Sequence, residues 1–155
     1  MKARRNDPAT AAPLVLDDFL CFHIYSAGHA FNRVYQPLLA EFRLTYPQFI
    51  AMILLWERDN QTVGDLCTKL SLQSNTLTPM LKRLETLGYI NRGRDPADER
   101  QVRVTLTEAG RKLRIQASDI VRSVRKATGL QDRALKDLFA QVDALRKALE
   151  GQNSR

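Results

Sequence analysis

The 155-residue chain has only two cysteines, two histidines and one tryptophan, and no apolar run in it approaches the length of a membrane-crossing helix. Each scarcity removes a class of function. Cys21 and Cys67 lie far apart and make no disulfide framework, which fits a reducing compartment. His23 and His29 lack cysteine or carboxylate partners at ligand spacing, so no metal site is expected. The seven glycines form neither a phosphate loop nor a dinucleotide fingerprint, and no Ser-His-Asp set is present. No catalytic residue and no cofactor are therefore expected. The N-terminus has no apolar core before Pro13, so no signal peptide is read and the expected location is cytoplasmic, without a membrane partner.

What is present is positive charge. Twenty-four Lys and Arg against 17 Asp and Glu leave a formal net charge of +7. That favours an anionic partner, and charge alone does not separate nucleic acid from a membrane surface. With 44% hydrophobic and 26% charged residues the composition is that of an ordinary globular chain, one domain by length. Residues 1–13 are polar and cationic and are read as a mobile arm. Its Lys2, Arg4 and Arg5 either touch DNA backbone or act as a solubilising tail.

The informative stretch is Thr62 to Thr107. Thr62 and Asp65 have the spacing of a capping box, and Val63, Leu66, Cys67 and Leu70 recur on one helical face. Ser71 to Ser74 makes a turn, and a second helix is expected to about Leu87, stopped by Gly88 as a left-handed cap residue. Leu77, Leu81, Leu84 and Gly88 are expected inward. Ser74, Asn75, Thr76, Thr78, Lys82 and Arg83 remain for the outer face. Small polar groups followed by cations suit a DNA groove, where the former reach bases or phosphates and the latter neutralise backbone charge. Tyr89–Arg92 and Gln101–Leu106 then read as two strands around the charged turn Gly93–Arg100. The hairpin carries Arg92, Arg94, Arg100 and Arg103, with Asp98 in its loop. It is either a wing whose arginines enter a minor groove or a solvated hairpin. Following a helix-turn-helix, it is read as a DNA contact.

On the N-terminal side, a helix is expected from Asp17 or Asp18 to about Tyr35, with Pro37 either ending it or starting a new short one through Phe42. Its bulk (Phe19, Leu20, Phe22, Ile24, Phe31) wraps so much of the circumference that one partner surface does not suffice. Thr45-Tyr46-Pro47-Gln48 is a second capping box, opening an apolar helix expected to be fully buried up to Glu57. Thr107 caps a helix running to about Ala127, with Leu113, Ala117, Ile120, Val121 and Val124 as its stripe. A last helix opens at Asp132 and carries Leu135, Leu138, Phe139, Val142, Leu145 and Leu149. The fold class is mainly α with a small β-wing: a winged helix-turn-helix over about 46–107, and helices over about 14–42 and 108–150 that either form a dimerisation layer or pack on their own wing. A homodimer reading a palindromic operator is favoured, because two-fold symmetry matches two half-sites.

Cys21 falls in the first turn of the first helix, where free N–H groups favour a thiolate and Asp17 and Asp18 oppose it. Tyr25 is one turn on. On spacing alone, a small core cysteine is the plainer reading, as it is for Cys67 on its apolar helical face.

Leu77-Thr78-Pro79-Met80-Leu81-Lys82-Arg83-Leu84-Glu85, Gly88-Tyr89-Ile90 and Asp98-Glu99-Arg100 resemble the signature of the MarR family of winged-helix repressors. Pro79, which physics alone would keep out of a helix interior, is accepted there on that resemblance. Leu16-Asp17-Asp18-Phe19-Leu20-Cys21-Phe22, Tyr35-Gln36-Pro37-Leu38-Leu39 and Leu44-Thr45-Tyr46-Pro47-Gln48 are similar to its OhrR subgroup, which senses organic hydroperoxides through one cysteine. The resemblance implies that Cys21 becomes a sulfenic acid. It further implies that Tyr35 and Tyr46 reach it from the partner subunit, with Tyr25 nearby. Where two-cysteine relatives place a resolving cysteine, this chain has Lys126, so a small-molecule thiol, a backbone nitrogen or over-oxidation is left to act on the sulfenate. The expected function is a repressor that releases DNA when Cys21 is oxidised. The alternative is release by a phenolic or lipophilic ligand, with Cys21 structural. A thiol peroxidase is the reading from another class, and the DNA-reading unit counts against it.

Overall fold

The computed structural model describes residues 14–152. The N-terminal arm expected over 1–13 lies outside them. A 3-10 turn over Leu16–Asp18 precedes α1 (Leu20–Leu39), and a second 3-10 turn, Ala40–Phe42, leads to α2 (Tyr46–Glu57). There follow β1 (Gln61–Thr62), α3 (Val63–Leu70), α4 (Ser74–Thr86), β2 (Ile90–Arg94), β3 (Val102–Leu106), α5 (Glu108–Ala127) and α6 (Asp132–Gln152). No single described helix is long and apolar enough to cross a membrane.

Local sequence accounts for most helix starts. At α2, Thr45 and Gln48 cap each other's backbone, with Pro47 in the first turn. At α3, the Asp65 amide donates to Thr62 Oγ1 at 3.1 Å and the Thr62 amide donates to Asp65 Oδ2 at 3.2 Å. These are reciprocal caps of otherwise orphan donors. Thr107 Oγ1 accepts from the Gly110 amide at the start of α5. The α3–α4 turn closes on Ser71, held at φ 52°, with the Leu72 amide donating to the Cys67 carbonyl at 3.0 Å. Gly88 at φ 77° ends α4 similarly, with the Tyr89 amide donating to Leu84 at 3.1 Å.

One core joins the helices to the sheet. Leu77, Leu81 and Leu84 of α4 pack in it with Phe49, Met52 and Leu55 of α2, Leu66 of α3, and Ile90, Val104 and Leu106. Each such leucine contributes about 1.5–3 kcal/mol by leaving water. Leu113, Ala117, Ile120 and Val124 bring α5 onto the same core. Cys67 is half-buried against it.

Several expectations are corrected. The first helix starts at Leu20, capped by the backbone of Phe19, and it runs through Pro37 to Leu39. Proline there removes only the bond to the Arg33 carbonyl, on an exposed position near the helix end, so it does not break the rod. The bulk on that helix is unevenly covered: Phe19, Leu20, Ile24 and Phe31 are exposed, and full burial begins at Tyr35. Helix α2 is not fully buried, since Ile53, Leu54 and Trp56 are only partly covered. Val121 leaves the α5 stripe and is exposed, because it sits one residue past the buried Ile120 and rotates off the core-facing line. Gly88 is at the surface instead of inward.

The sheet has a third strand that periodicity does not reveal. Its order is β1-β3-β2, with Gln61 opposite Val104 and Arg92 opposite Val104 on the other side. Two residues are too few for an alternation signal. Strand β2 extends to Arg94, and β3 begins at Val102, not Gln101.

The tightest junction joins α5 to the end of α4. The Tyr89 carbonyl accepts from the Thr107 amide at 3.0 Å, and the Gly110 carbonyl accepts from Trp56 Nε1 at 2.8 Å. A Cβ at Gly110 would run into the Tyr89 carbonyl oxygen, which is backbone and has no rotamer to yield. Gly110→Ala is therefore expected to cost about 1–3 kcal/mol, read as a lower urea midpoint with unchanged slope. An unaffected midpoint would show that the junction relaxes freely.

Candidate nucleic-acid interface and cysteine site

The three inward leucines leave the opposite face of α4 to solvent. Ser74, Asn75 and Thr76 of the first turn are exposed, as are Lys82 and Arg83, while Thr78 is half-buried. No side chain caps the helix N-terminus, whose cap residue is Gln73. Thr76 Oγ1 donates to Asn75 Oδ1 at 3.3 Å. Pro79 removes the helical bond to the Asn75 carbonyl, which lies on the exposed face where water replaces the donor. The outward face thus offers amide and hydroxyl groups at its start and two cations further on, a pattern that can read a groove edge and bind phosphate.

The four hairpin arginines divide into two kinds. Arg92 is engaged with Glu85 of α4: its backbone N–H donates to Oε1 at 3.0 Å, Nε donates to Oε2 at 3.0 Å, and its terminal nitrogen lies 2.8 Å from Oε2. Arg103 donates to Asp95 Oδ2 at 2.5 Å and to the Asn60 carbonyl at 2.8 Å. Arg94 and Arg100 are exposed at the tip, where Arg94 donates to the Glu99 carbonyl at 2.8 Å. Asp98 shapes that tip by accepting from the Arg100 amide and from Gln101 Nε2, each at 3.1 Å. Asp95 is buried, and its Oδ1 accepts from the Ala97 amide at 2.7 Å.

The cysteine site is dispersed within one chain. Cys21 is exposed at the second position of α1. Tyr25 is also exposed, its ring edge-on to His29 at 4.4 Å between centroids. Tyr35, far down the same helix, stacks on Tyr46 at the start of α2 at 4.5 Å and 30°. Burial pushes the Tyr35 hydroxyl pKa up, with neighbouring Tyr46 adding to the shift, and burial alone raises Tyr46. Both phenols are therefore protonated donors at neutral pH. Fourteen positions of continuous helix separate Cys21 from Tyr35, a rise of about 21 Å at 1.5 Å per residue. The chain does not bring its own cysteine to its own tyrosines.

Tyr35 and Tyr46 open onto a groove of about 460 Å³ walled by Phe31, Val121, Val124, Arg125 and Phe139. It adjoins a second groove of about 450 Å³ between α1, α5 and α6, lined by Ala27, Val34, Leu138 and Val142 and sharing Phe31, Leu135 and Phe139 with the first. Helix α6 buries only Leu135, leaving Leu138, Phe139, Val142 and Leu149 exposed.

Residues 33–116 match the family described as transcriptional regulator SarA/Rot. The organic hydroperoxide resistance transcriptional regulator of Bacillus subtilis is 39% identical over 138 residues, covering 89% of this chain and 94% of that protein. The chain belongs to the MarR/SarA family of winged-helix transcriptional regulators. TtmR of Methylorubrum extorquens, an HTH-type transcriptional regulator, is 43% identical over 141 residues, covering 89% and 70% of the two chains. Among solved structures, AbfR of Staphylococcus epidermidis superposes with a TM-score of 0.74 at 31% identity, covering 88% of this chain and 93% of that one. AbfR has also been solved on DNA both reduced and overoxidised.

For this MarR/SarA regulator, reading the residues in order missed the two acids that organise the hairpin. Asp95 had a signal, since Asp-Pro in a turn favours a side chain that bonds the backbone two residues on. Glu85 had only its sign, as an anion among outward cations. The Arg92 guanidinium holds the Glu85 carboxyl below the usual carboxylate range. The Ala97 amide and then Arg103 hold Asp95 below it, against the opposing effect of burial. Depressed folded values mean that the stabilisation is complete above the ordinary values, 4.5 for Glu85 and 3.8 for Asp95, and is lost as pH falls through the folded ones. The Arg92 and Ala97 amides should accordingly lose hydrogen-exchange protection, relative to the α5 amides, on acidification below about pH 4. Parallel loss at all three places would show that neither acid has a local role.

Proposed function

We propose that this protein is a homodimeric DNA-binding repressor that senses organic hydroperoxides through Cys21 and releases its operator on oxidation. The observation that carries the reading is the separation of Cys21 from Tyr35 along one unbroken helix, with Tyr46 of α2 stacked on Tyr35. A cysteine clamped by these two phenols requires a second copy, with its α1 running the opposite way. The exposed faces of α1 and α6, together with the half-open grooves between them, support such a pairing. A reader over about 46–107 is then carried by a dimerisation layer from about 14–42 and 108–150. The groove tyrosines donate to the partner's thiolate, with Tyr25 one turn from it, and the molecule acts in the cytoplasm, where the DNA is.

The chemistry runs once per site. The Cys21 thiolate attacks a peroxide oxygen; the O–O bond breaks, an S–O bond forms, and the alkoxide leaves as an alcohol after taking a proton. The sulfenic acid then condenses with a small-molecule thiol, forming a mixed disulfide and water. Lys126, at the end of α5, supplies no sulfur for an internal disulfide. Added bulk at the phenol-lined groove spreads the two α1 helices and shifts the recognition helices relative to successive major grooves. A coupling of about 1–3 kcal/mol, about 5- to 150-fold in affinity, suffices for release. The similarity to the Bacillus hydroperoxide regulator supports this reading over the others. A second reading, release by a reversibly bound phenolic or lipophilic molecule, is favoured by the apolar grooves beside Phe31 and Phe139.

Fluorescence anisotropy on duplex DNA from upstream of the gene separates them. Wild type should bind and be released by equimolar organic hydroperoxide with a small thiol present, while Cys21→Ser should bind equally and stay bound. Peroxide-insensitive wild type would discard the redox switch and leave the ligand reading. Arg100→Ala should weaken binding to every sequence and lower the slope of log affinity against log salt by about one. An unchanged slope would remove the wing tip from the DNA contact.

A further inference from the structure

Glu85 is an anion in the last turn of the helix read as the DNA-recognition element, where an isolated carboxylate would repel phosphate. Both its oxygens are committed. One takes the Arg92 backbone N–H at 3.0 Å, and the other takes the Arg92 guanidinium at 3.0 and 2.8 Å. Strand β2 is an edge of the three-stranded sheet, so half of its backbone groups point away from β3. Glu85 fills one of these positions from α4, as a further strand would. The Arg92 side chain is only 20% exposed, lies along α4, and has its charge offset. Elsewhere in the hairpin, Arg103 ties β3 to the wing loop through Asp95 and to the loop before β1 through the Asn60 carbonyl.

We propose that Glu85 and Arg92 are positioning residues for DNA recognition: a clamp from α4 to the edge of β2 that makes recognition helix and wing one rigid reader. This leaves Arg94 and Arg100 as the wing cations that meet DNA. Fixing the angle between the two elements lets α4 occupy a major groove only where the wing tip meets the adjoining minor groove. The inference rests on the reading of α4 and the hairpin as the DNA-binding unit. It differs from simple charge bookkeeping in sign, because removing a carboxylate beside phosphate should otherwise tighten binding.

The test is a double-mutant cycle in the full-length protein, using duplex from upstream of the gene as the probe. Glu85→Gln and Arg92→Gln should each weaken binding about tenfold, and the double variant should be no weaker than either single. Hydroxyl-radical protection under the wing should be lost while guanine protection under α4 persists. Arg92→Lys, which keeps the charge without the two-pronged geometry, should retain the wild-type melting temperature with intermediate affinity. Glu85→Gln binding as tightly as wild type, or tighter, would overturn the clamp. So would additive losses, or uniform loss of both protections alongside lowered melting temperatures, which would make the pair a fold contact only. Failure of wild type to bind, with Arg100→Ala equally inert, would instead remove the DNA reading on which the clamp rests.

Discussion

An α-helix that continues through Pro37 separates its ends by a distance that no side chain spans. Helix α1 carries Cys21 at one end and Tyr35 at the other, and Tyr35 stacks on Tyr46 at the start of α2. The cost of the proline is a single backbone bond near the helix end, which water at an exposed position replaces. In the proposed dimer, the stiffness of this helix would make a change at Cys21 a change in how two α1 rods lie together. The proposed sensing function follows from that stiffness: two chains have to meet for the site to exist, and the same meeting sets the distance between their recognition helices.

The DNA-facing half obeys a related economy. Three leucines anchor α4 in the core and leave its opposite face polar, so the helix is held by packing and not by the ligand it meets. The hairpin has no comparable core of its own. It is held by Val104 and Leu106 on one side and by ion pairs and side-chain caps on the other. Asp95 inside the wing and Glu85 beneath it spend two of the four arginines on geometry. A basic surface is therefore not equivalent to four unpaired arginines, since Glu85 and Asp95 hold two of them in ion pairs.

The C-terminal helix shows the same division from the apolar side. Helix α6 has a long stripe but buries only Leu135 within its own chain. Four exposed apolar side chains on one helix, beside open grooves walled by α1 and α5, form an apolar surface left uncovered among the described residues. Under the proposed function a second copy would cover this surface and bring its Cys21 to this chain's Tyr35 and Tyr46.

Much of this was legible in the residues. The capping boxes at Thr45 and Thr62, the Thr107 cap, the leucine period of α4 and the break at Gly88 are local signals, set by hydrogen bonds and side-chain spacing within a few positions. They sufficed for five of the six main helices and a hairpin, while α4 was carried past Pro79 by the family resemblance. What sequence missed depends on convergence from a distance. Strand β1 exists because Gln61 and Thr62 meet β3 forty positions later, not because two residues prefer to be extended. Arg92 and Arg103 looked the same as Arg94 and Arg100 until Glu85, Asp95 and Asn60 came beside two of them. The tight approach at Gly110 is set by the Tyr89 carbonyl, twenty-one positions earlier. Sequence alone determined which segments are helical and which side chains can do chemistry, since periodicity and residue type are local properties. Tertiary structure decided which cations are held in ion pairs and that Cys21 is remote from its own Tyr35 and Tyr46, since both depend on where rigid elements end in space.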